Sequence, residues 1–209
     1  MKIIKIIISV LFISLFSFTF SSAEDCSKYD KLSKDYAKCT SDKLKKETSQ
    51  KAEEIKSKTT KKIEELKIIL PEAKAPVGSY VATKIVGKLL YISGQISVDE
   101  NGKLIRGKIG KELTTDEGYD AAKRCGLSIV SQVKTACNGD LSKVKSCVKL
   151  TGFVNSTDDF IEQPKVINGA SDLISLIFGE AGMHTRAAVS TNSLPLGVSV
   201  EVDAIFELH

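Results

Sequence analysis

The chain has 209 residues, with 30 Lys and Arg against 26 Asp and Glu, two His and no Trp, for a formal charge of +4. That length predicts one domain with appendages. Residues 24–67 hold 13 lysines against 10 acids, while 68–209 hold slightly more acids than bases. The body therefore lacks the basic excess that holds a nucleic-acid backbone, and no nucleic-acid partner is expected.

Residues 1–23 read as a secretory signal peptide: Lys2 and Lys5 open it, Ile6–Phe20 is an apolar and hydroxyl run, and Ser21–Ser22–Ala23 offers small residues for cleavage after Ala23. The apolar run is short of the roughly 20 residues of a spanning helix. The mature protein is then expected to be periplasmic or secreted, free of the membrane after cleavage, with its formal charge reduced by the two lysines.

Residues 24–58 are lysine-rich, with acid-to-lysine pairs at i,i+4 (Asp30–Lys34, Asp42–Lys46, Glu47–Lys51, Glu54–Lys58) and only a short apolar stripe at Tyr29, Leu32, Tyr36 and Cys39. This reads as a solvated helix or a partly disordered tether. Cys26 and Cys39 would sit about 20 Å apart on one straight helix, so they can pair only if the segment bends back. Cys137 and Cys147 flank a helix-to-strand turn and can pair, and Cys125 falls in a helical pattern as core filling. Five cysteines leave one over, and no disulfide is expected to be needed for activity.

Thr59–Lys67 reads as a helix end and the start of the domain at residue 59, with Pro71 and Pro76 breaking the chain beyond it. Val81–Val86 and Leu89–Val98 read as strands about Gly87. Asn101–Gly102 is a hairpin signal, with Lys103–Ile109 as the return strand. Thr114 and Glu117 have capping-box spacing and open a helix to about Ala136. Val144–Val154 alternates as a strand, and Pro164 opens a second helix that runs to Gly179. The last two strands are Thr185–Ser190 and Val198–Leu208, separated by Pro195–Leu196–Gly197. The order β-β-β-α-β-α-β-β predicts an α+β layer with two main helices on one sheet face.

Several chemistries are absent from the pattern. There is no HExxH, CxxC pair or His-Asp cluster for a metal, no Walker motif or GxGxxG for a nucleotide cofactor, and no nucleophile elbow around Ser93. Neither metal nor cofactor is expected. His209 is terminal, and His184 reads as structural. In the last strands, Arg186 shares a face with Ala188 and Ser190, and Glu201 shares one with Asp203 and Glu207. On neighbouring strands, Arg186 and Glu201 can form a structural ion pair, worth roughly 0.2–1 kcal/mol, or a small carboxylate-binding site.

The chain resembles the RidA/YjgF family, in particular a longer branch carrying endoribonuclease labels. The resemblance runs through Leu70–Pro71, Gly78–Ser79–Tyr80–Val81, Tyr91–Ile92–Ser93–Gly94–Gln95, Gly107–Lys108–Ile109–Gly110, Gly139–Asp140–Leu141, Gly152–Phe153–Val154–Asn155–Ser156, Asn168–Gly169–Ala170–Ser171–Asp172–Leu173, His184–Thr185–Arg186–Ala187–Ala188–Val189, Leu194–Pro195 and Val200–Glu201–Val202. It covers about residues 60–209. It implies a chorismate-mutase-like α+β fold, a homotrimer with sites between subunits, and hydrolysis of reactive 2-imino or enamine acids to 2-oxo acids and ammonia.

By this resemblance Arg186 clamps the substrate carboxylate, a task suited to the paired donors of a planar guanidinium. Glu201 positions and activates the attacking water, with Asp203 its nearest rival as base. Tyr80, Ser93 and Asn168 match further pocket residues. Ala188 matches a position whose backbone contacts the imine nitrogen; many members carry cysteine there, so alanine excludes a thiol-dependent step. Two alternatives stand beside the deaminase: a non-catalytic trimer binding a small carboxylic acid, and a ribonuclease, which the near-neutral domain disfavours.

Overall fold

The computed structural model describes residues 25–209, and the expected signal peptide and its cleavage site lie outside the described residues. The chain divides into two compact units, Met1–Ser49 and Gln50–His209. Helix α1 (Lys34–Glu65) has residues in both.

In the first unit a tight 3-10 turn at Cys26–Lys28 precedes α1, and Asp25 accepts the Ser27 N–H to cap it. Cys26 and Cys39 form a disulfide, with their Cα atoms 5.8 Å apart. Cys26 is not on the helix of Cys39. It precedes the turn that ends at Ser33, so the chain bends back as the spacing demands. Cys137 and Cys147, which the sequence allows to pair, do not: both are free and buried, and burial pushes the Cys147 thiol up to about 12.

The second unit is a five-stranded sheet carrying two helices on one face. Its strands are β1 (Thr83–Val86), β2 (Leu89–Ile96), β3 (Val144–Asn155), β4 (Thr185–Thr191) and β5 (Val200–Leu208), in the order β1-β2-β5-β3-β4. All pairings are antiparallel except β3 with β4. That parallel pair needs a crossover, which α3 (Gln163–Phe178) supplies. Helix α2 (Thr115–Ala136) starts at a full capping box: the Thr114 side chain accepts from the Glu117 N–H, and the Glu117 carboxylate accepts from the Thr114 N–H.

Alternation decides which face is covered. Val200, Val202, Ala204 and Phe206 of β5, with Leu150 and Val154 of β3, are buried against Ile129, Val130 and Val133 of α2 and Val166, Ile167 and Ile174 of α3. A fully buried side chain such as Phe206 contributes about 1.5–3 kcal/mol. Ile63, Ile68 and Leu70 extend this core, and the strap after them is held by α2: Ser131 Oγ donates to the Pro71 carbonyl, and Gln132 Nε2 donates to that of Lys74 at 2.9 Å.

The expected return strand Lys103–Ile109 does not form. Asn101–Gly102 does turn the chain, with Asp99 Oδ1 accepting from the Asn101 and Lys103 N–H groups. Beyond it only isolated bridges appear, Val98 with Leu104, Arg106 with Val198, and Ile109 with Leu113 and Ser156. Gly107, at φ 121°, takes the backbone out of the extended region and ends any ladder there.

The helices approach closely at Gly169, where an added Cβ would collide with the Tyr119 carbonyl oxygen of α2, a backbone atom that cannot rotate away. Gly169→Ala is therefore expected to cost about 2–3 kcal/mol. The measurement is a lower urea midpoint at unchanged m-value.

Candidate active site

Strand β2 is not regular where the site begins. Its register against β5 shifts between Ile92 and Gln95, which places Ser93 and Gly94 together opposite Asp203. This bulge bends the strand and re-aims its side chains. Ser93 is pinned on both sides, its N–H donating to the Ala82 carbonyl at 3.0 Å and its Oγ to that of Val81 at 2.7 Å. With its hydrogen committed, the hydroxyl presents only acceptor capacity outward.

Gly94 leaves room for its neighbour. A Cβ there would collide with the Glu201 carboxylate, which lies on the bare backbone of the bulge. Burial, and secondarily the like charge of Asp203, raise the Glu201 carboxyl above the ordinary glutamate range. A carboxylate so shifted exchanges protons closer to neutral pH. Tyr80, Ser93, Gly94 and Glu201 line one cavity of about 590 Å³, walled by the Pro71–Val77 strap and by Ile96 and Leu196. Tyr80 is 55 % exposed in this unit.

Arg186 lies elsewhere. It pairs with Leu150, and Leu150 with Ala204, so alternation puts Arg186 on the helix face of edge strand β4. There α3 holds it. Nη1 donates to Asn168 Oδ1 at 2.8 Å and to Ser171 Oγ at 2.9 Å, and Nη2 donates to the Pro164 carbonyl at 3.3 Å. A guanidinium has five N–H donors. Three are spent here, which leaves Nε–H and one Nη2–H, an adjacent pair matching the two oxygens of a carboxylate. Ala188 lies two residues along the same face, packed against the core beside Gly152.

The expected residues thus form two clusters. Tyr80, Ser93 and Glu201 share the cavity, while Asn168, Arg186 and Ala188 share the β4–α3 edge. The expectation that Arg186 and Glu201 stand on neighbouring strands is incorrect, because β3 lies between β4 and β5. Glu201 pairs with Phe153, three residues along β3 from the partner of Arg186, and faces away from the helices. Two strand spacings and three residues put the two Cα atoms roughly 14 Å apart, with side chains on opposite faces. They are not a cross-strand ion pair.

Comparison with known proteins gives the family. A family model described as YjgF/chorismate mutase-like, putative endoribonuclease, matches residues 61–208. The chain belongs to the YjgF family. It is 48% identical over 145 residues to Protein TCP17 of Trypanosoma cruzi, covering 69% of this chain and 90% of that protein. It is 27% identical over 143 residues to the 2-iminobutanoate/2-iminopropanoate deaminase of Rattus norvegicus, covering 67% of this chain and 89% of the relative.

Two solved structures share the fold. Atu1372 from Agrobacterium tumefaciens, of unknown function, has 41% identity and a TM-score of 0.68, covering 75% of this chain and 97% of its own. A putative endoribonuclease from Shewanella oneidensis has 37% identity and a TM-score of 0.69, covering 72% and 99%. The α+β fold of this YjgF member is thus the chorismate-mutase-like one expected.

Two residues that serve these clusters escaped the sequence reading. Gly94 bears the Glu201 carboxylate, and Ser171 holds Arg186. The signal for Ser171 was the spacing Asn168–Ser171, one turn on one helix face. Among the described residues no group of His, Cys, Asp and Glu is arranged to hold a metal ion.

The raised Glu201 has a consequence for stability. The folded state binds this proton more tightly than the unfolded chain, so stability falls as pH rises from the ordinary glutamate value through the raised one. Above the raised value the ionised carboxylate carries the whole of that penalty. Glu201→Gln is expected to be at least as stable as wild type at pH 7, with the advantage vanishing in acid, as read by urea denaturation at both pH values.

Proposed function

We propose that this chain hydrolyses reactive 2-imino and enamine acids to 2-oxo acids and ammonia, in sites completed between copies of a homotrimer. The observation that carries this reading is the unspent Nε and Nη2 donor pair of Arg186, opposed to a half-buried, raised Glu201 in a cavity on the other face. The two cannot grip one small molecule from a single chain. Two copies can bring the β4 edge of one to the cavity of the next. The open sheet face suits such contact: Tyr91 pairs with Ile205 and Phe153 with Val189, and Tyr91 and Val189 are 41 % and 45 % exposed. The names of the distant mammalian relatives support the chemistry.

In the reaction, Arg186 holds the substrate carboxylate. Glu201 takes a proton from water as its oxygen attacks C2 of the imine, giving a tetrahedral carbinolamine. Glu201 returns that proton to nitrogen to complete the carbinolamine and then carries the hydroxyl proton to the same nitrogen, so that the C2–N bond breaks, ammonia leaves and the C2 carbonyl forms. The Ser93 oxygen accepts from the imine N–H or from the water, and Tyr80 closes the cavity mouth. The export reading fits a disulfide at Cys26–Cys39, which persists in an oxidising compartment. No described helix is long and apolar enough to cross a membrane.

A coupled assay with 2-iminopropanoate generated by an amino-acid oxidase tests this. Glu201→Gln is expected to lower kcat about 10²–10⁴-fold, and Arg186→Ala to lower kcat/KM at least about 10-fold. An Arg186→Ala protein at full rate sinks the assignment. Carboxylate binding without turnover in the wild type instead identifies the non-catalytic module. Because Glu201 must be ionised to accept the proton, the acid limb of kcat/KM should lie above the ordinary glutamate value, and Asp203→Asn should move it to lower pH. Sedimentation showing a monomer at micromolar concentration would overturn the shared site.

A further inference from the structure

Behind Arg186 lies a second layer of hydrogen bonds that ends at His184. Ser171 Oγ, which accepts the Arg186 Nη1–H at 2.9 Å, lies 3.0 Å from His184 Nε2. The other ring nitrogen, Nδ1, lies 2.6 Å from the Gly182 carbonyl oxygen. The direction of the chain follows from chemistry. A carbonyl only accepts, so Nδ1 carries the hydrogen; the reverse tautomer would set two lone pairs against each other at 2.6 Å. In the neutral ring Nε2 is then an acceptor and takes the Ser171 hydroxyl hydrogen. With that hydrogen committed, the Ser171 oxygen turns lone pairs to Arg186.

The backbone holds this geometry. The 3-10 turn Gly179–Gly182 packs directly on α3, where a Cβ on Gly182 would come within 2.8 Å of Ser175 Cα, and this seats His184 beside Ser171. The relay therefore joins the start of β4 to the middle of α3 through side chains only. Its end point is the guanidinium orientation that keeps Nε–H and one Nη2–H unspent.

We propose that His184 is a positioning residue for the carboxylate clamp, fixing the Ser171 hydroxyl so that Ser171 and Asn168 together hold Arg186 with its Nε edge open to substrate. The proposal rests on Arg186 being that clamp, and holds whether the site turns substrate over or only binds it. Without His184 the Ser171 hydroxyl is free to point its hydrogen at the guanidinium, and Arg186 loses a partner that fixes its rotamer. The carboxylate keeps its charge throughout imine hydrolysis, so a loosened clamp weakens substrate and transition state equally, raising KM with kcat little changed.

The test uses the full-length mature protein and two readouts: calorimetric binding of 2-oxobutanoate, and kcat and KM in the imine assay. His184→Ala and Ser171→Ala are each expected to raise Kd and KM about 5–10-fold. Adding His184→Ala to Ser171→Ala should have no further effect, because the histidine acts only through the serine. His184→Gln, whose amide oxygen can accept the Ser171 hydrogen near the Nε2 position, should recover most of the loss. A purely structural histidine would add its effect to that of Ser171→Ala and would gain nothing from glutamine. Additive losses, or wild-type Kd in a folded His184→Ala protein, overturn the proposal. If wild type binds no 2-oxobutanoate, the clamp itself falls and the relay with it. If wild type binds and Arg186→Ala does not, while His184→Ala still does at full affinity, only the relay falls.

Discussion

Strand β3 is the constraint on which the site depends. It pairs antiparallel with β5 on one side and parallel with β4 on the other. The parallel pairing requires a crossover, and α3 provides it on the covered face. Helix α3 thereby comes to lie beneath the helix face of β4, so that Asn168, Ser171 and the Pro164 carbonyl surround Arg186. The same insertion of β3 keeps Glu201 two strands away on the opposite face. One topological fact orders the arginine and separates it from the carboxylate.

The separation gives the proposed assembly a physical reason. A clamp and a water-activating acid in one chain, facing opposite directions, cannot work on one small molecule. Each half is nevertheless finished. Arg186 is held by three acceptors on α3, and the Glu201 carboxylate rests on a glycine bulge pinned by two hydrogen bonds of Ser93. Neither half waits for a partner to order it, so joining copies as proposed would cost little side-chain entropy.

Much of this was legible where the signal was local. The Thr114–Glu117 box, the Pro164 start of α3 and the alternation of Val200–Phe206 each arise from contacts within a few residues. The chain shows all three. A return strand does not follow from Asn101–Gly102, because a hairpin turn says only that the chain reverses; the positive φ at Gly107 and the lack of a continuous ladder end it. The two last strands are consecutive in the chain, and consecutive strands usually pair. Here β5 pairs with β2 and β3, contacts made with distant parts of the chain that no local pattern encodes. The site residues were reached through the family resemblance, and it carried no information on which face or which strand gap each would occupy.

The glycines of the site illustrate why some functional residues elude sequence reading. Gly94 carries no chemistry, yet the Glu201 carboxylate sits where its side chain would be. That placement brings the acid onto backbone and out of water, which together with Asp203 raises its proton affinity. The Glu201 carboxyl is thus tuned by an absent side chain on the neighbouring strand, at the point where β2 leaves regular register. A regular β2 would place alternate side chains on this face and fill the space. The bulge puts a second residue, Gly94, on this face beside Ser93, and because that residue has no side chain the space is left to the Glu201 carboxylate.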